Sequence, residues 1–442
     1  MADILPFRGI HYNTDAIGGD LSAVAAPPYD VISPEEQAAL YERSPHNVVR
    51  LILGRETDRY ARAAALFREW RAGDVLVSDE DPSLYVYHQT FADPTTGKTA
   101  PERMGLICLL RLEDYASGGV LPHENTLTAA KADRLELLRA THAQFESIYG
   151  LYSDPDRAVQ SFIDEYDDRE PVLERVDDMI GSSHCIERIA DPNAATVLRE
   201  MLRDEPIFIA DGHHRYETAL NYRREWRAAH PEISEDTPVA ADYILITLTA
   251  FEDEGLLVLP THRLVKGVDP DRIAALPRSL TPHFTVTDAA PDALEAAIAK
   301  EAQLGRAAFG LVLPAGSCLA TLTVADADIP ALVPGGQSPA AKRLPVTLLQ
   351  SLILDQRLGV DAAALAAGDR VAYTRDAAEA VRRVRDGEYQ AALLLGRPSA
   401  EDVRAVSLAG DKMPQKSTFF FPKLLSGLIL RDLSLDDPAE MV

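Results

Sequence analysis

Cysteine is scarce in this 442-residue chain: Cys108, Cys185 and Cys318 are an odd number at wide spacing, with no CxxC pair. That excludes a disulfide framework and a zinc knuckle, and it fits a reducing compartment. Cys108 lies inside Leu106-Ile107-Cys108-Leu109-Leu110, where a thiol reads as core. Positive charge is short as well. Lys and Arg total 44 against 69 Asp and Glu, a formal net charge of −25. Duplex nucleic acid needs a basic stripe to release counterions, so it is set aside as a partner. No apolar run approaches the roughly 20 residues of a membrane span. The opening MADILPFRGI lacks a basic stretch followed by an apolar one, so the expectation is a cytoplasmic protein without a secretory leader. Internal repeats, an HExxH pair and the glycines of a Walker loop are missing too.

What is present is an ordinary globular balance, 46% apolar and 26% charged, able to bury large cores. Length favours more than one domain, and the element pattern is mixed α/β. Residues 24–33 open as a strand that meets Pro27 and Pro28. Ser33-Pro34-Glu35-Glu36 starts a helix, with Ser at the cap and Pro at the first position. Asn47–Leu53 reads as a strand and Tyr60–Trp70 as a helix. Leu84–Thr90 and Met104–Leu112 read as an antiparallel pair with one wet face. A strand at 205–210 precedes a helix from Tyr216, and Tyr243–Leu248 is a central strand. Composition shifts near residue 265, giving a core over 1–264 and a smaller α/β lobe over 265–442.

The chemistry concentrates at Asp211-Gly212-His213-His214-Arg215. An apolar strand ends, Gly212 turns the chain, and a helix begins. Helix N-termini present unpaired N–H groups and a positive dipole end, so an anion fits there. Arg215 adds a fork of donors matched to phosphate oxygens. His213 and His214 can donate, bind metal or shuttle protons. His123-Glu124, on a loop after a strand, offers a second base or magnesium ligand. His262 and Arg263 sit just beyond an apolar strand. Lys412, Lys416, Ser417 and Thr418 form the densest cation–hydroxyl cluster in an acidic chain. Asp30, on a turn after two prolines, could activate a substrate hydroxyl or serve as a helix-entry residue.

Several separate pieces carry a family resemblance. They are Pro6-Phe7-Arg8-Gly9, Ala26-Pro27-Pro28-Tyr29-Asp30-Val31-Ile32, Asn47–Leu51, Pro122-His123-Glu124, Ala210–Tyr216, Leu259–Arg263 and Lys412–Thr418. Together they span residue 6 to about 427 and resemble the prokaryotic family called domain of unknown function 1015. The DGHHR turn resembles the phosphate motif of the ParB/sulfiredoxin-like fold, which includes an archaeal free-serine kinase. That resemblance implies a ParB-like, nucleotide-binding core, with ATP or ADP and Mg2+ as cofactors. It implies a transferase of serine metabolism, a nucleotide-dependent phosphotransferase for a small hydroxylated metabolite such as free L-serine. Asp211, His213, His214, Glu124 and Asp30 would then be catalytic. Gly212, Arg215, His123, His262, Arg263, Lys412, Lys416, Ser417 and Thr418 would bind phosphate or nucleotide. The alternatives are a phosphomonoester hydrolase and a non-catalytic nucleotide-binding regulator. Partners are the nucleotide and a small molecule; metal ligands and oligomeric state stay open.

Overall fold

Uncharged apolar runs make strands that can be covered on both faces, and several build one nine-stranded mixed sheet. In chain order its strands are β1 (Ile4–Leu5), β2 (Leu84–Thr90), β3 (Arg103–Arg111), β4 (Val120–Pro122), β5 (Ile148–Tyr152), β6 (Glu170–Asp177), β7 (Ser183–Ile189), β8 (Ile207–Asp211) and β9 (Tyr243–Ala250). Their spatial order is β4-β8-β5-β9-β3-β2-β7-β6, with β1 against β3. β8 runs parallel to β4 and antiparallel to β5, so the end of β8 lies among strand ends of different direction. Leu106, Cys108, Ile148, Ile207, Ile209 and Ile246 share one core, into which Tyr216, Ala219 and Leu220 of the following helix also pack.

This computed structural model describes residues 3–126, 128–436 and 438. The chain divides into two units, Met1–Leu257 with Pro422–Val442, and Val258–Phe421. The boundary expected at 264/265 thus falls at 257/258, and the last residues belong with the first unit. Within the second unit, β10 (His262–Val265), β11 (Phe284–Asp288), β12 (Ala308–Leu313), β13 (Gly316–Leu322), β14 (Val371–Thr374) and β15 (Ala391–Leu395) form an antiparallel sheet of order β11-β13-β12-β15-β10-β14. Leu294 and Ile298 from one helix, and Ala377, Ala380 and Val384 from another, cover it with Leu264 and Leu394.

Three local expectations are corrected. Residues 24–33 form no strand; the chain makes 3-10 turns at Leu21–Ala23 and Tyr29–Val31. Asn47–Leu53 is no strand either, because its centre is the helix α1 (Val49–Ile52). The reason is Asn47, which is fully buried. Its Oδ1 accepts from the Val49 N–H at 2.9 Å, while its amide donates to the Ala23 and Ala25 carbonyls at 2.8 and 3.0 Å. A side chain bonding its own backbone two residues on turns the chain instead of extending it. β2 lacks the wet face its alternation suggested, being buried at five of seven positions, since β3 and β7 flank it. The Ser33 start holds, as a capping box with Glu36.

Candidate functional site

After the helices α2 (Arg59–Ala72) and α3 (Pro192–Leu202), β8 ends at Asp211, and helix α4 (His213–Ala229) starts two residues later. Only Gly212 separates them, at φ +90°. A Cβ there would lie 2.8 Å from Ile148 Cγ2 and 3.1 Å from Arg215 Nη2. Both the left-handed backbone and the contact demand glycine. Gly212→Ala should therefore lower stability by about 1–3 kcal/mol and displace Arg215. Thermal unfolding reads the first effect; a wild-type Tm in this variant would show the turn to be relaxed.

Gly212 supplies no side-chain cap to α4, and the positive end of the helix dipole lies at the turn. Around it sits a charged cluster. Arg215 donates from Nη1 to the Ser147 carbonyl at 2.7 Å and from Nη2 to Asp211 Oδ2 at 3.2 Å. Lys423 Nζ reaches Asp211 Oδ1 at 2.6 Å. Burial pushes the Asp211 carboxyl up, but Lys423 and Arg215 together outweigh it and bring the group down to about 2. Asp211 is therefore an anion at any physiological pH. Burial opposes charge on Arg215, yet Glu146, Asp211 and Asp30 hold its guanidinium cationic.

The Tyr29–Val31 turn forms another side of the cluster. The Tyr29 N–H donates to Glu146 Oε1 at 3.0 Å, as does the Ser426 hydroxyl at 3.0 Å. The Arg134 guanidinium lies 4.0 Å from the Tyr29 ring centre, a cation–π contact. Asp30 is near enough to Asp211, Arg215, Lys423 and Glu146 to feel all four charges, and its carboxyl is pushed up. Lost hydration is the first cause and repulsion by Asp211 the second. Because Asp30 is an exposed residue, water tempers the first cause, and the Asp211 charge is the firmer one.

His123 and His213 are both buried and interlock edge to face, ring centres 4.7 Å apart. His123 Nδ1 bonds the Ile209 carbonyl at 2.7 Å, so that nitrogen carries the proton. Burial lowers its pKa to about 4, keeping the ring neutral. The His123 backbone N–H donates to His213 Nε2 at 3.2 Å, which places the His213 proton on Nδ1. These contacts pin the His-Glu loop against the turn. Thr126 Oγ1 and Lys131 Nζ extend the seam, each 2.7 Å from Glu217 Oε2 on α4. His214 and Glu124 are half-buried.

The structure thus gathers Asp30, His123, Asp211, Gly212, His213 and Arg215 in the first unit. Three further members join them: Arg134, which follows the His-Glu loop in the chain, and Glu146 and Lys423, which carry no sequence signal. Lys423 is 212 residues from Asp211 in the chain; it follows three phenylalanines and a proline and looks like a strand exit. Its segment is anchored from the sheet: the buried Arg103 donates from Nη2 to the Pro422 carbonyl and from Nε to Gln89 Oε1 at 2.9 Å. His262, Arg263, Lys412, Lys416, Ser417 and Thr418 lie in the second unit. His262 and Arg263 follow the short strand Leu257–Leu259 and themselves open β10, which β14 and β15 pair on either side. His262 is buried, with its Nδ1 accepting from the Leu395 N–H at 3.2 Å. Among the described residues no group of three or more His, Cys, Asp or Glu could hold a metal ion. No described helix is long and apolar enough to cross a membrane.

Fold and site define a mixed α/β protein in which a glycine-led helix N-terminus meets paired cations and carboxylates. Residues 4–347 match the family model described as a protein of unknown function, DUF1015, and the chain belongs to that family. No curated protein matches it in sequence. Among solved structures, a conserved hypothetical protein from Pyrococcus furiosus is 15% identical, with a TM-score of 0.33, over 72% of this chain and 94% of its own. A free serine kinase in complex with AMP is 13% identical, with a TM-score of 0.35, over 72% and 90%. SbnI with C-terminal truncation, from Staphylococcus aureus, is 10% identical, with a TM-score of 0.37, over 76% and 91%. Likeness at that level carries no argument about activity.

Proposed function

We propose that the Asp211–Arg215 turn is the active site of a nucleotide-dependent phosphotransferase acting on a small hydroxylated metabolite, with free L-serine as the first substrate to try. The observation that carries the reading is the glycine-led N-terminus of α4 beside Lys423 and Arg215, with Asp30 facing the same charges. Phosphoryl transfer asks for charge neutralisation and positioning more than for covalent chemistry. The helix N–H groups, Arg215 and Lys423 would neutralise the transferring phosphoryl group. Asp30, as carboxylate, would take the proton of the substrate hydroxyl; its oxygen then bonds to phosphorus as the bond from phosphorus to the nucleotide oxygen breaks. A raised carboxyl pKa suits a base. Among the described residues Asp30 has no ion pair, so it is also the carboxylate open to a magnesium ion bound by the nucleotide phosphates. Asp211, already held by two cations, orients them.

The test supplies ATP or ADP with Mg2+ and a panel of small hydroxy compounds, L-serine first, and follows phosphorus by NMR. A new phosphomonoester formed one for one with the cleaved nucleotide supports the reading. Nucleotide binding without turnover on any acceptor would leave the regulator alternative. Release of phosphate from a monoester without nucleotide would favour the hydrolase.

A further inference from the structure

Arg263 is a buried charge that the first unit's chemistry does not use. Its side chain belongs to a residue only 4% exposed, in the inner strand β10. Among the described residues it makes no ion pair. Its partners are carbonyls, that of Thr261 from Nη1 and that of Lys416 from Nη2 at 3.3 Å, and the ring of Tyr373 at 5.4 Å. A guanidinium carries five donors, and a buried cation without an anion is costly to keep. Burial lowers its pKa to about 10, still cationic at neutral pH.

The guanidinium borders a narrow pocket of about 20 Å3 whose lining includes Thr261, Gly396, Asp402, Met413 and Ser417, room for one or two waters. Asp402, the carboxylate in that lining, accepts from the Ser399 N–H at 3.0 Å as a helix cap and does not pair with Arg263. Lys416 holds φ +57°, a strained conformation for a side-chain-bearing residue, and this residue's carbonyl is the one bonded to Arg263. The loop is thus built around the guanidinium while leaving its charge unmatched. We propose that Arg263 is an oxyanion site of the second unit, taking one phosphate or carboxylate group against its planar fork. The pocket is too small for a nucleoside, so only the compact anionic head of a ligand enters. This inference stands independently of the phosphotransferase reading.

Hydrogen exchange on the full-length protein tests it, with inorganic phosphate and acetate titrated separately at constant ionic strength. The expected result is slowed exchange of residues 260–264 and 412–418 in wild type; whichever anion acts at the lower concentration identifies the preferred group. Arg263→Met should lose that response, and Arg263→Lys, which keeps the charge without the fork, should need about tenfold more anion. Wild-type protection that is unmoved by both anions, or retained in full by Arg263→Met, overturns the proposal. Should the Met variant fail to fold, an unaltered concentration dependence in the Lys variant overturns it instead. Changes confined to residues 207–216 would report on the first unit and count against the Arg263 site.

Discussion

Lys423→Met is expected to lower turnover by about 10²–10³-fold, the usual cost of removing one preorganised charge stabiliser. Lys423 Nζ sits 2.6 Å from Asp211 Oδ1, and Met keeps the length of the side chain without its charge. The lysine does two things at once. It adds positive charge at the start of α4, and it is the largest single influence holding Asp211 ionised against burial. A stability effect follows from the second role. The Asp211 carboxyl falls from its ordinary 3.8 to about 2 in the folded protein. A depressed carboxylate contributes stability that is fully present above the unfolded value and is lost as pH falls through the folded one. That contribution is on the order of 2 kcal/mol, present in full above about pH 4 and lost between about pH 4 and about pH 2. In the Met variant the Asp211 pKa climbs, and acid unfolding should begin at higher pH. Steady-state kinetics and an acid titration followed by circular dichroism check the two halves. Wild-type turnover in a folded Lys423→Met protein would remove Lys423 from the site and, with it, the reason to place phosphate there.

Asp30→Asn should cost about 10²–10⁴-fold in kcat, the range for loss of a positioned general base. Its pH signature is more telling than its size. A base works only when deprotonated, so kcat/KM of the wild type must fall as pH drops through the Asp30 pKa. Desolvation and the Asp211 charge raise that pKa above the ordinary carboxylate value, so the acid limb should lie above the range of a free aspartate. The Asn variant, with nothing to protonate there, should show residual activity with that limb abolished. If instead the limb persists in Asp30→Asn, the proton acceptor is another group, and Glu124 becomes the residue to change. The Asn variant also separates the two proposed roles of Asp30. An unaltered response of KM to magnesium would leave the base role standing alone.

Much of this site is legible in the linear chain, and the legible part is local. The apolar run before Asp211, the glycine after it and the helix that follows define a turn with a positive dipole end from propensity alone. Gly212 could be read as the permissive residue, and its φ of +90° is what that reading needs. The acidic balance of −25 already steered the function toward a small anion in a local pocket. Local reasoning failed where a side chain competed for the backbone. The Val and Leu residues of 48–53 favour a strand, but the buried Asn47 amide ties together three backbone groups and starts a helical turn. It failed again in weighing histidines. His123 looks like a proton carrier in the chain, yet burial keeps its ring neutral, and its bonds to the Ile209 carbonyl and to His213 pin the loop.

What the amino-acid sequence determined by itself, then, is the strand–glycine–helix turn, the family and the mixed α/β class, because each follows from patterns spanning a few consecutive residues. Which charges surround the turn was decided only by the tertiary structure. Lys423 meets Asp211 across 212 residues, Glu146 meets the Tyr29 backbone across 117, and neither pairing leaves a period or spacing in the chain. Whether a carboxylate becomes a base or a spectator depends on how many cations its neighbours bring, and that number is set by packing.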